Sequence, residues 1–465
     1  MKVCLLNDSF PPNIDGVVNV VLNYADHLMK DHGVQVAVGT PEYPDAHYEQ
    51  YPYPVIAYPS LDTTALMSGY RAGYPFSGKA LEELGAFGPD IIHSHCPVAS
   101  TILARLLREQ TEAPVVFTYH TKFDIDIHRA VKLPMAAEES IRAMVANIEA
   151  CDEVWVVSRG AGENLRSLGY EGDYRVMHNG VDFARGRVAE ADVTQVTAGY
   201  DLPDGVPVLL FVGRMMTYKG LPLILDALKL LMDGGQDFRM VFIGKGPDKE
   251  LMEKKARSLG LGDKCIFVGP VYDRDELRAW NTRADLFLFP STFDTNGLVV
   301  REAAACGLSC VLIQGSCAAE GITDGRNGFL IDESAEAMAA LLQEVCTDLP
   351  RLHAVGQHAM DEIYLSWESA VDTAYDRYGA ILDLKRSGAL PPKRKVPADY
   401  LVALASRSME ERVRRRRIRL ELLSDFRETA QGMMENIQEA QRTAEQRWAR
   451  VAEDIQRELD SLNRR

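Results

Sequence analysis

The chain has 465 residues, 46% of them hydrophobic and 25% charged, with 35 Gly and 22 Pro, which excludes disordered, collagenous and cysteine-stapled classes. Its 51 Lys plus Arg face 67 Asp plus Glu, a formal charge of -16. A nucleic-acid partner is therefore not expected, because phosphate-rich partners need a basic surface.

The N-terminus, Met1 to Phe10, enters a strand at once, without the apolar run of a signal peptide. No stretch approaches the roughly 18 apolar residues that cross a bilayer. The eight cysteines show no paired metal-ligand spacing, so a reduced, cytoplasmic protein is expected, with no metal site.

From Val3 to about residue 182, short apolar runs alternate with helical patterns. Val3–Leu6, Val34–Val38, Ile91–His93, Val115–Tyr119 and Val154–Val157 read as buried strands, and Val17–Met29 as an amphipathic helix. Helices are also expected around Ala65–Ala86. A polar linker covers 183–205, and a second series runs over 206–365. Its strands are Val208–Val212, Met240–Ile243, Ile266–Val268, Leu286–Phe289, Val311–Ile313 and Gly328–Ile331. Helices at Leu221–Met232, Leu251–Leu259, Leu277–Thr282, Val299–Ala305 and Ala335–Val345 separate or follow them. Two such βα series imply an α/β fold of two Rossmann-like domains, with a site in the cleft between them.

Residues 366–382 read as a helix returning toward the first domain, and 383–398 as a basic, Pro-containing linker. Residues 399–465 lack Pro and carry apolar or small residues at alternating three- and four-residue spacing, the pattern of a coiled-coil-like tail. That pattern suits pairing within the chain or a homo-oligomer. The arginines at 412, 414, 415, 416, 417 and 419 fit anionic lipid headgroups or a solvated helical segment equally well.

Three segments carry the chemistry. Gly213-Arg214 and Lys219-Gly220 follow a strand and open a helix, where two cations beside a helix N-terminus suit a diphosphate; ordinary surface charge would look the same. Gly244-Lys245-Gly246-Pro247 either approaches a ligand closely or turns the chain. Gly16, in the loop Pro11–Val17 before the first helix, can offer backbone N–H groups to phosphate. No dinucleotide or P-loop glycine pattern is present. Asp294 and Glu302 bracket a turn at a strand end, with Asn296, Gly297 and Leu298 between them; carboxylates there accept sugar hydroxyl hydrogens or serve as helix-start charges. Ser158-Arg159 is a candidate cleft edge, and Glu320 reads as loop solvation.

Over about residues 1–380 the chain resembles the retaining GT-B glycosyltransferases of family 4. The likeness rests on Gly213-Arg214 with Lys219-Gly220, Gly244 to Pro247, and His178-Asn179-Gly180-Val181-Asp182. It also rests on two acids with seven residues between them, where Asp294 stands in place of the usual Glu and Glu302 is the second. Asp294-Thr295-Asn296-Gly297, Thr118-Tyr119-His120-Thr121 and Asp15-Gly16-Val17 are similar to the branch that glucosylates diacylglycerol and to its mannosyl relatives.

The resemblance implies hexose transfer from a nucleotide-diphosphate sugar without metal or other cofactor. UDP-glucose is the first expected donor and GDP-mannose the second. It assigns Arg214 and Lys219 to the diphosphate, Glu302 to ribose hydroxyls, Asp294 to the donor sugar and His120 to the sugar and reacting centre. Gly16, Gly244, Gly246, Asn296, Gly297 and Leu298 complete the donor site. A lipid acceptor implies a peripheral enzyme on the inner face of the cell membrane. Transfer to a soluble or phospho-sugar acceptor is the alternative, and a non-catalytic scaffold a third. Arg129, Lys132, Leu133 and Met135 form a mixed basic and apolar segment that suits a lipid surface or an ordinary helix start.

Overall fold

The computed structural model describes residues 1–13, 15–63, 71–130 and 133–391, with Arg442, Gln446, Arg447 and Arg450 beyond them. Apart from those four residues the expected coiled-coil tail, with its arginine cluster, lies outside the described residues, as do residues 392–398 of the expected linker.

The first half is built on β1 (Lys2–Leu6), β2 (Gln35–Pro41), β3 (Val55–Tyr58), β4 (Ser60–Asp62), β5 (Arg71–Gly73), β6 (Ile91–Ser94), β7 (Val115–Tyr119), β8 (Glu153–Val156) and β9 (Arg175–Val176). Seven of these form a parallel sheet in the order β3-β2-β1-β6-β7-β8-β9, while β4 and β5 pair separately and antiparallel. The second half holds β10 (Val208–Val212), β11 (Arg239–Ile243), β12 (Cys265–Gly269), β13 (Leu286–Phe289), β14 (Cys310–Ile313) and β15 (Phe329–Ile331). They form a parallel sheet in the order β12-β11-β10-β13-β14-β15.

Helices cover these sheets, so central strands are apolar on both faces; β10 is buried at every position. Each sheet reverses its order once, between β1 and β6 and between β10 and β13. Such reversals open a crevice at the carboxyl ends of the strands, where ligands bind in open α/β sheets. The loops after β1, β7, β10 and β13 meet there.

Local sequence explains the helices that reach this crevice. In the helix Gly16–His32, Val18, Val21, Ala25 and Leu28 recur at helical spacing and are buried, Asp15 caps the start, and Gly33 (φ 61°) ends it. The helix Trp367–Arg386 starts under the Ser366 cap and buries Trp367, Ala370, Val371, Ala374, Tyr378 and Ile381. All six belong to the core of the first half.

Two segments differ from the sequence reading. Residues 64–70 of the expected helical region lie outside the described residues; among the described ones β4 and β5 precede a helix that begins at Gly78, where Ser77 supplies the cap. The polar stretch 183–205 contains the helix Glu190–Thr197. Val196 and Leu202 pack on the second core, where Phe183 is also buried, so short apolar contacts override a polar composition. None of the eight cysteines is in a disulfide.

Candidate active site between the two sheets

A cavity of about 290 Å³ lies between the halves. It brings together Gly16, His120, Lys219, Asp294, Asn296, Gly297 and Leu298, which the sequence places far apart. Arg214, Gly244, Gly246 and Glu302 are not in its wall.

Lys219 ends the short 3-10 turn Thr217–Lys219, and Gly220 follows at φ 79°. A Cβ on Gly220 would stand 2.6 Å from the Pro290 carbonyl oxygen, so only glycine lets this turn press against the strand end that carries Asp294. Lys219 Nζ then donates to Asp294 Oδ1 at 2.5 Å, and Ser291 Oγ donates to Asp294 Oδ2 at 2.5 Å. The ammonium also lies 5.6 Å from the Phe289 ring centroid.

Gly244 and Gly246 act on the neighbouring loop. A Cβ on Gly244 (φ 142°) would lie 1.9 Å from the Gly213 carbonyl oxygen, and one on Gly246 2.2 Å from that of Met215. Gly213 N–H donates to Ile243 O at 3.0 Å and Met215 N–H to Lys245 O at 2.9 Å. In this structure both glycines hold the 213–215 loop through backbone contact. Arg214, on that loop, is exposed.

Asn296 and Gly297 lead into the helix Leu298–Ala305, whose start no side chain caps. Leu298 and Val299 line the cavity, and unpaired N–H groups at a helix start suit an anion. The other expected helix start differs: Val17 N–H and Val18 N–H both donate to Asp15 Oδ1 at 2.8 Å. The chain's own carboxylate takes these donors, while a Cβ on Gly16 would meet nothing within 4 Å, leaving room beside it.

Glu302 sits one helical turn back. Its Oε1 accepts from Arg274 at 2.6 Å, and Arg274 stacks over Phe183 with its guanidinium carbon 4.5 Å from the ring centroid. Burial pushes the Glu302 carboxyl above the usual range, with Arg274 pulling it back. Nothing in the sequence signalled Arg274, because the contact joins two helices of the second half.

His120 follows β7, is 6% exposed, and its Nε2 lies 3.0 Å from His95 Nδ1. Burial lowers its ring to about 3, so it is neutral near pH 7. Across the crevice, Thr295 Oγ1 donates to His120 O at 2.6 Å, and Ser158 Oγ donates to Thr295 O at 2.5 Å. Arg159 N–H donates to Glu320 Oε2 at 2.6 Å, so Glu320 is a contact between the halves rather than a solvated loop residue. Of the mixed segment after His120, Leu133 and Met135 are 72% and 81% exposed, whereas Lys132 and the Arg129 side chain lie outside the described residues.

Comparison with known proteins agrees with this geometry. The profile described as Glycosyltransferase Family 4 matches residues 14–185, and that described as Glycosyl transferases group 1 matches residues 194–361. An alpha-monoglucosyldiacylglycerol synthase of Streptococcus pneumoniae is 24% identical over 66% of this chain and 70% of its own. A GDP-mannose-dependent alpha-mannosyltransferase of Corynebacterium glutamicum is 26% identical over 71% of this chain and 77% of its own. The crystal structure of Anabaena HepE in complex with UDP superposes with a TM-score of 0.66 at 17% identity, covering 82% of this chain and 100% of that one.

Proposed function

The chain is a GT-B glycosyltransferase with family 4 and group 1 domains, and we propose that it moves glucose from UDP-glucose to a membrane lipid such as diacylglycerol, with retention. The observation that carries this reading is the meeting of Lys219, Asp294, His120 and an uncapped helix start around one cavity.

The roles follow from charge and reach. Lys219, with Arg214 swinging in from the exposed loop, neutralises the departing diphosphate beside the N–H groups of Leu298 and Val299. Asp294, held by Lys219, accepts hydroxyl hydrogens of the donor sugar. Glu302 serves the ribose once a hydroxyl shares its carboxylate with Arg274. His120 faces the sugar as a neutral ring. The acceptor hydroxyl attacks on the face the diphosphate leaves, its oxygen bonding to the anomeric carbon as the bond to phosphate breaks. Its proton passes to the departing phosphate oxygen, so no enzymic nucleophile is needed.

The Streptococcus pneumoniae relative supports the lipid acceptor by its name, and the UDP complex of Anabaena HepE supports a uridine donor. Among the described residues no helix is long and apolar enough to cross a membrane. Lipid would therefore be met from the surface, with exposed Leu133 and Met135 as described apolar contacts. The Corynebacterium glutamicum relative favours a second reading, mannosyl transfer from GDP-mannose to a soluble or phospho-sugar acceptor. A matrix of UDP- and GDP-sugars against diacylglycerol, a glycosylated lipid and soluble sugars separates them. Glucosylated diacylglycerol supports the proposal; transfer only to soluble acceptors overturns it.

A further inference from the structure

Two more histidines stand behind His120, and the proposed chemistry leaves them without a role. His93 lies on β6 and His95 just beyond its end. Both ring nitrogens of His93 have partners, Nδ1 with Tyr378 OH at 2.5 Å and Nε2 with Thr118 Oγ1 at 2.7 Å. His95 has one, the His120 Nε2 that lies 3.0 Å from its Nδ1. Its own Nε2 is buried and has no hydrogen-bond partner. The ring is 1% exposed and is held between Tyr24 and His93, at centroid distances of 5.5 and 4.0 Å.

Burial lowers all three rings well below the ordinary histidine range, so each carries a single ring hydrogen near neutral pH. The contact between His95 and His120 therefore holds one hydrogen, and either ring can supply it. If His120 donates from Nε2, the His95 hydrogen sits on its own Nε2, a buried N–H with no acceptor. If His95 donates from Nδ1, only a bare ring nitrogen remains in the core. Orphaned buried N–H groups are rarer than unused acceptors, and an unmet donor costs on the order of 1–3 kcal/mol. The second arrangement wins.

We propose that His95 is a positioning residue that fixes His120 in the tautomer with its hydrogen on Nδ1, so that His120 presents a hydrogen-bond donor to the cavity. His120 Nε2 is occupied by His95, which leaves Nδ1 as the nitrogen for a ligand. Its target is an oxygen: a donor-sugar hydroxyl or the phosphate oxygen on which charge develops. The same tautomer prevents Nδ1 from acting as a base toward the acceptor hydroxyl. This inference rests on His120 facing the donor sugar.

Imidazole ¹⁵N spectra of the full chain labelled at histidine, with His120 identified by its loss in His120→Gln, read the tautomer directly. The expected result is a protonated Nδ1 and a bare Nε2 at His120; a hydrogen on Nε2 overturns the proposal. Kinetics give a second readout. His95→Leu should lower kcat about tenfold with donor KM within twofold, and His95→Asn, whose amide can donate from near the Nδ1 position, should recover most of it. Wild-type kcat in His95→Leu overturns the proposal. Should His120→Ala keep full activity, the role of His120 fails while the spectra still decide the tautomer.

Discussion

The hydroxyl of Thr295 donates to the main-chain carbonyl of His120 at 2.6 Å, joining the two halves of the body at the rim of the cavity. Thr295 follows Asp294 in sequence, and its own carbonyl accepts from Ser158 Oγ. One residue thus sets where the Asp294 loop meets the His120 loop. Thr295→Val keeps the shape and removes the donor. We expect kcat to fall on the order of tenfold, since small displacements of reacting groups carry costs of this size. Thr295→Ser should restore most of it, and equal rates in wild type and Thr295→Val would remove Thr295 from this role.

Lys219 and Arg214 differ in what they touch before donor binds. Lys219→Ala leaves Asp294 without its ion-pair partner and removes a cation from the cavity. We expect kcat/KM to fall about 100-fold, the scale of losing one preorganised charge-stabilising group. Arg214→Ala, on an exposed loop, should mainly raise donor KM. Steady-state kinetics with varied UDP-glucose separates the two, and identical defects would contradict the division.

Gly244→Ala tests how the 213–215 loop is held. The new Cβ would collide with the Gly213 carbonyl oxygen at a backbone angle unsuited to alanine. A loss of about 2–3 kcal/mol is expected in urea unfolding. A change within about 0.5 kcal/mol would show that the 213–215 loop yields instead.

Alternating βα patterns disclosed both sheets, because parallel strands covered by helices read as continuous apolar runs. Lys219 and Asp294 were legible because each lies in a turn after a strand, and His120 through the family resemblance. Arg274 on Glu302, Asp15 on the first helix start and His95 behind His120 were not legible. Each is a side-chain contact whose partner is fixed only by the helix or strand geometry around it. The helix inside 183–205 was hidden because few apolar residues suffice to dock it.

Three buried neutral histidines make the fold sensitive to acid. A histidine whose folded value is lowered contributes stability that is complete above the unfolded value near 6.5 and is lost as pH falls toward the folded value, about 3 for His120. Each should contribute a slope of about 1.4 kcal/mol per pH unit within that window. Unfolding by urea between pH 7 and 5 should therefore show a shallower loss in His95→Asn than in wild type, by about one proton. Equal slopes would mean that His95 is charged or solvated in the folded protein.

Glucose transfer at the Lys219–Asp294–His120 cavity can be read from its product. Its most direct measurement is the product formed from UDP-glucose and diacylglycerol in mixed vesicles, with the anomeric proton read by NMR, for wild type and Asp294→Ala. We expect α-glucosyl diacylglycerol from wild type and a rate at least about 100-fold lower from Asp294→Ala. A β-linked product, or undiminished transfer by Asp294→Ala, would contradict it.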